Sequence, residues 1–507
     1  MSAFSLGGRA GSAPRPRTAL RTRLRQFPLP LAAILLAALL NAIAWSYATP
    51  PLQAPDEPAH VAYVQHLAET GHPPKRNADD YHVYSTEQGT AMLLQALNTL
   101  PTVGNARPSW SPADEAELRR LGDDLPASGR KDGTGPNPAA QNPPLYYAFA
   151  CIPYWAGRAL GLDFTGRLML IRWATSLFYL AIIALTWVLV GELMAATWLR
   201  VVATSVVALI PQLAFIGTIV NPDIMLAAIW TAFLTLAVRM LKRGPTARSV
   251  LGVGALTAAS ALTHGRGLLL LPPAIVLIGL AFLKYRPGWR AALTWSGGAA
   301  GLVAAGGLVA LLVTRSASGG AAFGGVATAN SAGTSVRGLA DYVWQFYLGR
   351  RGLIGPRIGP DYGFRQVFVE SFLGRFGSLD AGFSKRVYDG LQALVLLGLA
   401  GFLGAAFVRR RWIAEHWQLV VVLVLTPLSL LGGLHLIAYR QLAAGSVDPI
   451  LQGRYLLVCV SLVGLAVAAI CATLPRRVGA VLAAAVLSIG VLLSIGGLGV
   501  TVLRFYV

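Results

Sequence analysis

Three cysteines in 507 residues are too few for a disulfide framework, and Cys151, Cys459 and Cys471 lie in apolar stretches without the C-x-x-C spacing of zinc or redox sites. Charge is scarce too. Only 13% of residues are Asp, Glu, Lys or Arg, while 55% are hydrophobic and mean hydropathy is +0.58; an ordinary soluble chain carries about 25% charge. A single soluble domain and a disordered chain are therefore both excluded. Acid is scarcer than base: 22 Asp+Glu face 42 Lys+Arg, for a formal charge of +20. In a soluble protein that excess would suggest nucleic acid. Here it sits in short clusters between apolar runs, the pattern of membrane topology, so the partner expected is the lipid bilayer and no nucleic acid. The chain also lacks a Walker A loop, a G-x-G-x-x-G loop and an H-E-x-x-H pair, which leaves a soluble nucleotide donor without support.

What the chain does have is apolar length. A helix needs about 20 apolar residues to cross a bilayer, because the hydrocarbon core is ~30 Å thick and each residue rises ~1.5 Å. Eleven segments qualify: 28–49, 168–191, 198–219, 222–240, 249–263, 267–283, 291–313, 388–408, 417–438, 455–474 and 478–500. The expected fold is an all-α polytopic membrane protein with about 11 transmembrane helices. The short pair 249–263 and 267–283 flanks Thr263-His264-Gly265-Arg266 and reads as a tight hairpin.

Basic residues in short loops set the orientation. The tail 1–27 holds Arg9, Arg15, Arg17, Arg21, Arg23 and Arg25 and no acid, so the N-terminus is expected in the cytoplasm and the C-terminus outside. The clusters Arg239/Lys242/Arg243/Arg248, Lys284/Arg286/Arg290, Arg409-Arg410-Arg411 and Arg476-Arg477 then all fall inside. A further crossing at 144–160 would turn every one of them outward, so that segment reads as a juxtamembrane helix on the outer surface. Ser46-Tyr47-Ala48 loosely resembles a signal cleavage site, but the long leader and long apolar run favour a retained anchor.

The expected organisation is a basic cytoplasmic tail (1–27), an N-terminal transmembrane module (28–290) with a first outer loop at 50–167, and a C-terminal module (291–507) with a second outer loop at 314–387. The stretch 50–143 holds 12 acidic and seven basic residues; 314–387 holds nine basic and four acidic. The membrane expected is the inner (plasma) membrane, with the site on its extracytoplasmic side.

Six places carry chemistry, and each has a plainer structural reading beside it. Directly after the first span comes Pro55-Asp56-Glu57-Pro58-Ala59-His60. Asp56 either caps the helix that starts near Glu57 or acts as a general base at the water–lipid boundary, with Glu57 and His60 supporting it. No metal is required there. A divalent ion near Asp56 and Glu57 is the alternative, although His66, His72 and His82 follow at spacings that suit no single helix face. Next is Gln141-Asn142-Pro143-Pro144-Leu145-Tyr146-Tyr147, where Tyr146, Tyr147, Tyr154 and Trp155 suit either an interfacial aromatic belt or a platform beside a lipid-linked substrate. Asn221-Pro222-Asp223 is a helix cap or a polar contact for substrate. His264 and Arg266 form an ionisable pair near the membrane, unless Arg266 merely snorkels. The stretch from Glu370 to Asp380 contains Arg375, with Trp344-Gln345-Phe346-Tyr347, Arg350, Arg351, Arg357 and Arg365 upstream: a solvated loop or an anion site. Last, Gln452-Gly453-Arg454-Tyr455 stands at the outer mouth of a span. All six fall on the outer face in a topology derived without them.

With these residues in place, the chain resembles the GT-C superfamily of polytopic membrane glycosyltransferases, and more closely a bacterial branch of predicted membrane proteins long classed as a domain of unknown function. The resemblance covers roughly 30–460 and rests on P-D-E-P-A-H (55–60), N-P-P-L-Y-Y (142–147), N-P-D (221–223), W-Q-F-Y-L (344–348), S-F-x-G-R-F-G-x-L-D (371–380) and Q-G-R-Y-L (452–456). The run Asp56-Glu57-x-x-His60 is also similar to the D-E-x-H stretch of protein O-mannosyltransferases. Gly349-Arg350 and Ser378 depart from the family pattern, where Leu-Pro and Trp are expected. The resemblance implies a GT-C-like fold, a polyprenyl-phosphate-linked sugar as donor, a cell-envelope polysaccharide, lipid or protein as acceptor, and inversion at the anomeric carbon. It implies catalysis by Asp56 with Glu57 and His60. Donor-phosphate contacts are expected from Arg454, Arg375, Arg266 and His264, and substrate contacts from Asn142, Tyr146, Asn221, Asp223, Gln452 and Tyr455. The rival functions are a flippase for a lipid-linked glycan and a non-catalytic envelope scaffold.

Overall fold

A computed structural model describes residues 28–76, 82–95, 107–108, 111–317, 334–348, 363–444 and 451–507. The basic tail, Gly349, Arg350, Arg351 and Arg357 lie outside the described residues.

Helix α1 (Leu29–Ala48) is apolar around its whole circumference, as a lipid-facing helix must be, and it stops before Pro50-Pro51. The first long loop is helical rather than open: α2 (Glu57–Thr70), α3 (Thr86–Leu94), α4 (Pro112–Asp124) and α5 (Leu145–Ala159). Then come α6 (Phe164–Leu193), α7 (Thr197–Ala208), α8 (Pro211–Ile216), α9 (Asp223–Arg243), α10 (Ala247–Thr263), α11 (Leu271–Tyr285) and α12 (Trp289–Ala317). The second long segment between spans holds α13 (Val336–Tyr347), the single turn α14 (Ser371–Leu373) and a hairpin of two-residue strands. In it β1 (Arg375–Phe376) runs antiparallel to β2 (Ala381–Gly382), with Arg375 opposite Gly382. The chain closes with α15 (Lys385–Val408), α16 (Arg410–Glu415), α17 (Trp417–Ala443), α18 (Val460–Thr473) and α19 (Arg476–Tyr506). Two 3-10 turns, Gly265–Leu270 and Gly453–Cys459, lead into α11 and α18.

Counting each of these turns with the helix it leads into (Gly265–Tyr285 and Gly453–Thr473), nine helices among the described residues are long and apolar enough to cross a membrane. The two other segments expected to span are shorter. The stretch 198–219 is broken into α7 and α8, because Pro211 starts a helix and cannot continue one. The stretch 249–263 is the 17-residue α10. Both still connect the two ends of the bundle. One end is basic: Arg239, Lys242 and Arg243 all reach Glu192, and Lys284 donates to the Leu241 carbonyl at 2.9 Å. From there α7 and α8 lead back to Val220, and α10 leads back to His264, both at the opposite end, where the six sequence motifs gather.

One apolar core runs through both halves of the chain. Trp45 of α1 packs 4.8 Å from Phe376 and 5.5 Å from Phe215, in a cluster that also takes in Leu430 and Val460. The expected modules 28–290 and 291–507 thus share their interior.

Candidate functional site

Pro58 is the second residue of α2 and has no N–H, which removes one of the two groups that a capping side chain uses. Asp56 accordingly makes no side-chain cap. Its backbone is left-handed (φ 61°, ψ 2°), an unusual state for a residue with a Cβ, and its carboxylate turns to Arg454, with Nη2 donating to Oδ2 at 2.7 Å. The two residues stand 398 positions apart.

Arg454 is aimed by Gly453. A Cβ there would lie 1.9 Å from the Val367 carbonyl oxygen, so only glycine lets the Gly453–Cys459 turn dock on this segment. The Gly453 N–H donates to Ser371 Oγ at 2.7 Å and fixes the register. Beside Arg454, the Tyr455 ring carries a second guanidinium: Arg266 lies 3.7 Å above its centre and Arg454 5.2 Å away. Arg266 pairs with Asp223, and its Nε and backbone N–H both approach His264 Nδ1. Two acid–arginine pairs, Asp56–Arg454 and Asp223–Arg266, therefore meet around one tyrosine.

The first pair is one-sided. The Arg454 side chain is 5% exposed and that of Asp56 59%. Among the described residues, Arg454 Nε and Nη1, Arg266 Nη1 and Gln452 Oε1 are buried without a hydrogen-bond partner. Unfilled donors on enclosed guanidinium groups are costly unless something else occupies them. Burial raises the Asp56 carboxyl, but the charge of Arg454, the nearby His60 and the hydrogen bond from Arg454 together hold it below the ordinary aspartate value.

His60 is buried, and burial lowers its pKa against the pull of Asp56 and Asp223. Its Nδ1 lies 2.8 Å from the Tyr147 hydroxyl, which also accepts from Asn142 Nδ2 at 3.0 Å, and Tyr63 stacks on Tyr147 at 3.7 Å. Asn221 closes the turn before α9: its Oδ1 accepts from the Asp223 N–H at 2.8 Å, while Pro222 stands at the cap position.

Several expected residues are placed differently. Glu57 is fully enclosed and receives Arg172 Nε and Nη2 at 2.8 and 2.6 Å, with the Val220 N–H on the same Oε1 at 3.0 Å. Arg375 does not reach Asp56; it pairs with Glu370 at 2.6 Å and lies 5.8 Å from the Tyr388 ring. Tyr146 is buried against Thr175 at 2.9 Å rather than facing a ligand. Tyr147 and Tyr154 are also buried, so of the expected aromatic belt only Trp155 is exposed. The reason is that α5 packs between α2 and α6. Among the described residues no three His, Cys, Asp or Glu side chains group so as to hold a metal ion, and Glu57, the expected ligand beside Asp56, is committed to Arg172.

Arg172 escaped the motif reading, although one signal marked it: a cation inside the apolar run 168–191 needs a partner. Tyr147 was read as an interface aromatic or a platform beside substrate, because nothing local shows that it meets His60 from 87 positions away.

A family model described as a predicted membrane protein, DUF2142, matches residues 39–463. No curated protein and no solved structure matches the chain.

Proposed function

Because this chain belongs to the DUF2142 family of predicted membrane proteins, its chemistry has to come from its own residues, and we propose that it is a membrane glycosyltransferase. It moves a sugar from a polyprenyl-phosphate donor to an acceptor hydroxyl of the cell envelope, on the outer face. The observation that carries the reading is the Asp56–Arg454 pair: a half-open carboxylate, held ionised, beside an enclosed guanidinium with donors to spare.

Asp56 takes the proton of the acceptor hydroxyl. The acceptor oxygen bonds to the anomeric carbon as the bond from that carbon to the phosphate oxygen breaks. The lipid phosphate leaves with the electron pair and is met by the free N–H groups of Arg454 and Arg266. Fixed donors aimed at developing charge are commonly the largest catalytic term. His60 and Asn221 shape the acid side, while Arg375 belongs to a separate ion-pair cluster with Glu370 and Arg365.

Asp56→Asn tests the base. It is expected to lower transfer by about 10²- to 10⁴-fold, the usual worth of a positioned base, with expression and thermal stability unchanged. Full activity in that variant refutes the assignment. A flippase would move the donor without consuming it, and a scaffold would tolerate alanine at Asp56 and Arg454.

A further inference from the structure

Arg454, Arg266 and Arg172 each meet a carboxylate at the motif end, and their N–H groups are used differently. Arg454 and Arg266 keep buried N–H groups without partners. Arg172 keeps none: its five N–H groups go to Glu57 Oε1 (2.8 Å) and Oε2 (2.6 Å) and to the carbonyls of Ser46 (3.0 Å), Thr49 (2.7 Å) and Pro50 (2.9 Å). Its side chain and that of Glu57 are both fully enclosed. A guanidinium saturated in this way has nothing left for a ligand and acts on the chain instead.

What it holds is specific. The three carbonyls belong to the end of α1 and the turn that follows it. Glu57 directly follows Asp56, whose left-handed backbone is uncommon outside glycine, although aspartate adopts it more readily than most residues. The Val220 N–H on Glu57 Oε1 precedes Asn221-Pro222-Asp223. One clamp thus ties together the segments that carry both acids.

We infer that Arg172 is a positioning residue: through Glu57 it fixes the backbone on which Asp56 and Asp223 are presented to Arg454 and Arg266. This rests on the reading of those acids as the working groups of the proposed transfer, but its test does not need the transfer. The buried pair Arg167–Glu87, which joins α6 to α3, serves as the control, since it touches neither acid.

The full chain in lipid nanodiscs is treated with a water-soluble carbodiimide and glycine ethyl ester, and modification of Asp56 is followed by mass spectrometry across pH. In Arg172→Lys the charge stays but the five-donor fork is lost. Asp56 then swings from Arg454, its pKa rises, and labelling at about pH 5 increases about tenfold, the equivalent of one pKa unit. Glu57→Gln keeps the volume and gives the same rise, and it serves where Arg172→Lys fails to insert. Arg167→Lys leaves Asp56 labelling at the wild-type level even if it melts earlier. Unchanged Asp56 labelling in folded Arg172→Lys or Glu57→Gln overturns the inference, as does an equal rise in Arg167→Lys. Increased labelling in a protein that transfers no sugar keeps the clamp and removes the proposed function.

Discussion

Arg454 and Asp56 share one hydrogen bond, yet their exposure divides the work: the carboxylate is open and the guanidinium enclosed. The pH behaviour follows. While Arg454 is present, Asp56 sits below the ordinary aspartate value and is ionised through the neutral range, so the acid limb of the rate profile lies below the ordinary aspartate range. Arg454→Met leaves the burial cost opposed only by His60; the Asp56 pKa rises, less base is ionised at low pH, and the acid limb moves upward. A pH–rate profile of the two proteins checks this, and an unmoved limb means that the pair does not set the titration. Asp56 and Arg454 were legible because each is a charged residue at the edge of an apolar run. Their contact was not, because no local pattern links positions 398 apart. The partner of Arg375 was hidden for a different reason. Glu370 is only five residues upstream, but it meets Arg375 through the Arg365–Glu370 turn and the β1–β2 hairpin, which apolar periodicity does not reveal.

The Gly453–Cys459 turn is the element that carries Arg454 to its place, and its docking has no slack. Gly453→Ala drives a methyl into the Val367 carbonyl and the Phe372 N–H. It is expected to cost about 1–3 kcal/mol, as overpacking does, and to lower activity with it. Gly301 of α12 has nothing within 4 Å, so Gly301→Ala is expected to cost nothing and to stabilise by up to about 1 kcal/mol. Thermal melting of both variants separates them, and equal melting points would mean that Gly453 is not tightly docked. Most elements were legible from apolar length alone. The failures share a cause: tertiary contact overrode a local pattern. The α7–α8 break follows Pro211, which the hydropathy of 198–219 masks. The α5 tyrosines look interfacial by type but are buried by the neighbours α2 and α6.

The whole molecule is a multi-pass membrane protein with a basic end and a motif end joined by one core. Nine long helices, or those nine with both α7–α8 and α10, give an odd number of crossings. Reporter fusions at the two termini should therefore report opposite sides, with the N-terminus in the cytoplasm. The same side for both would mean that one of the short segments does not cross. The central claim is that the motif end consumes a lipid-linked sugar. Its most direct test is to incubate the purified full-length chain with a panel of polyprenyl-phospho-sugars and an envelope extract as acceptor, and to measure the free polyprenyl phosphate released. The account predicts release with one donor from the wild type and release lowered by about 10²- to 10⁴-fold from Asp56→Asn. Intact donor throughout, or equal release from both proteins, would contradict it.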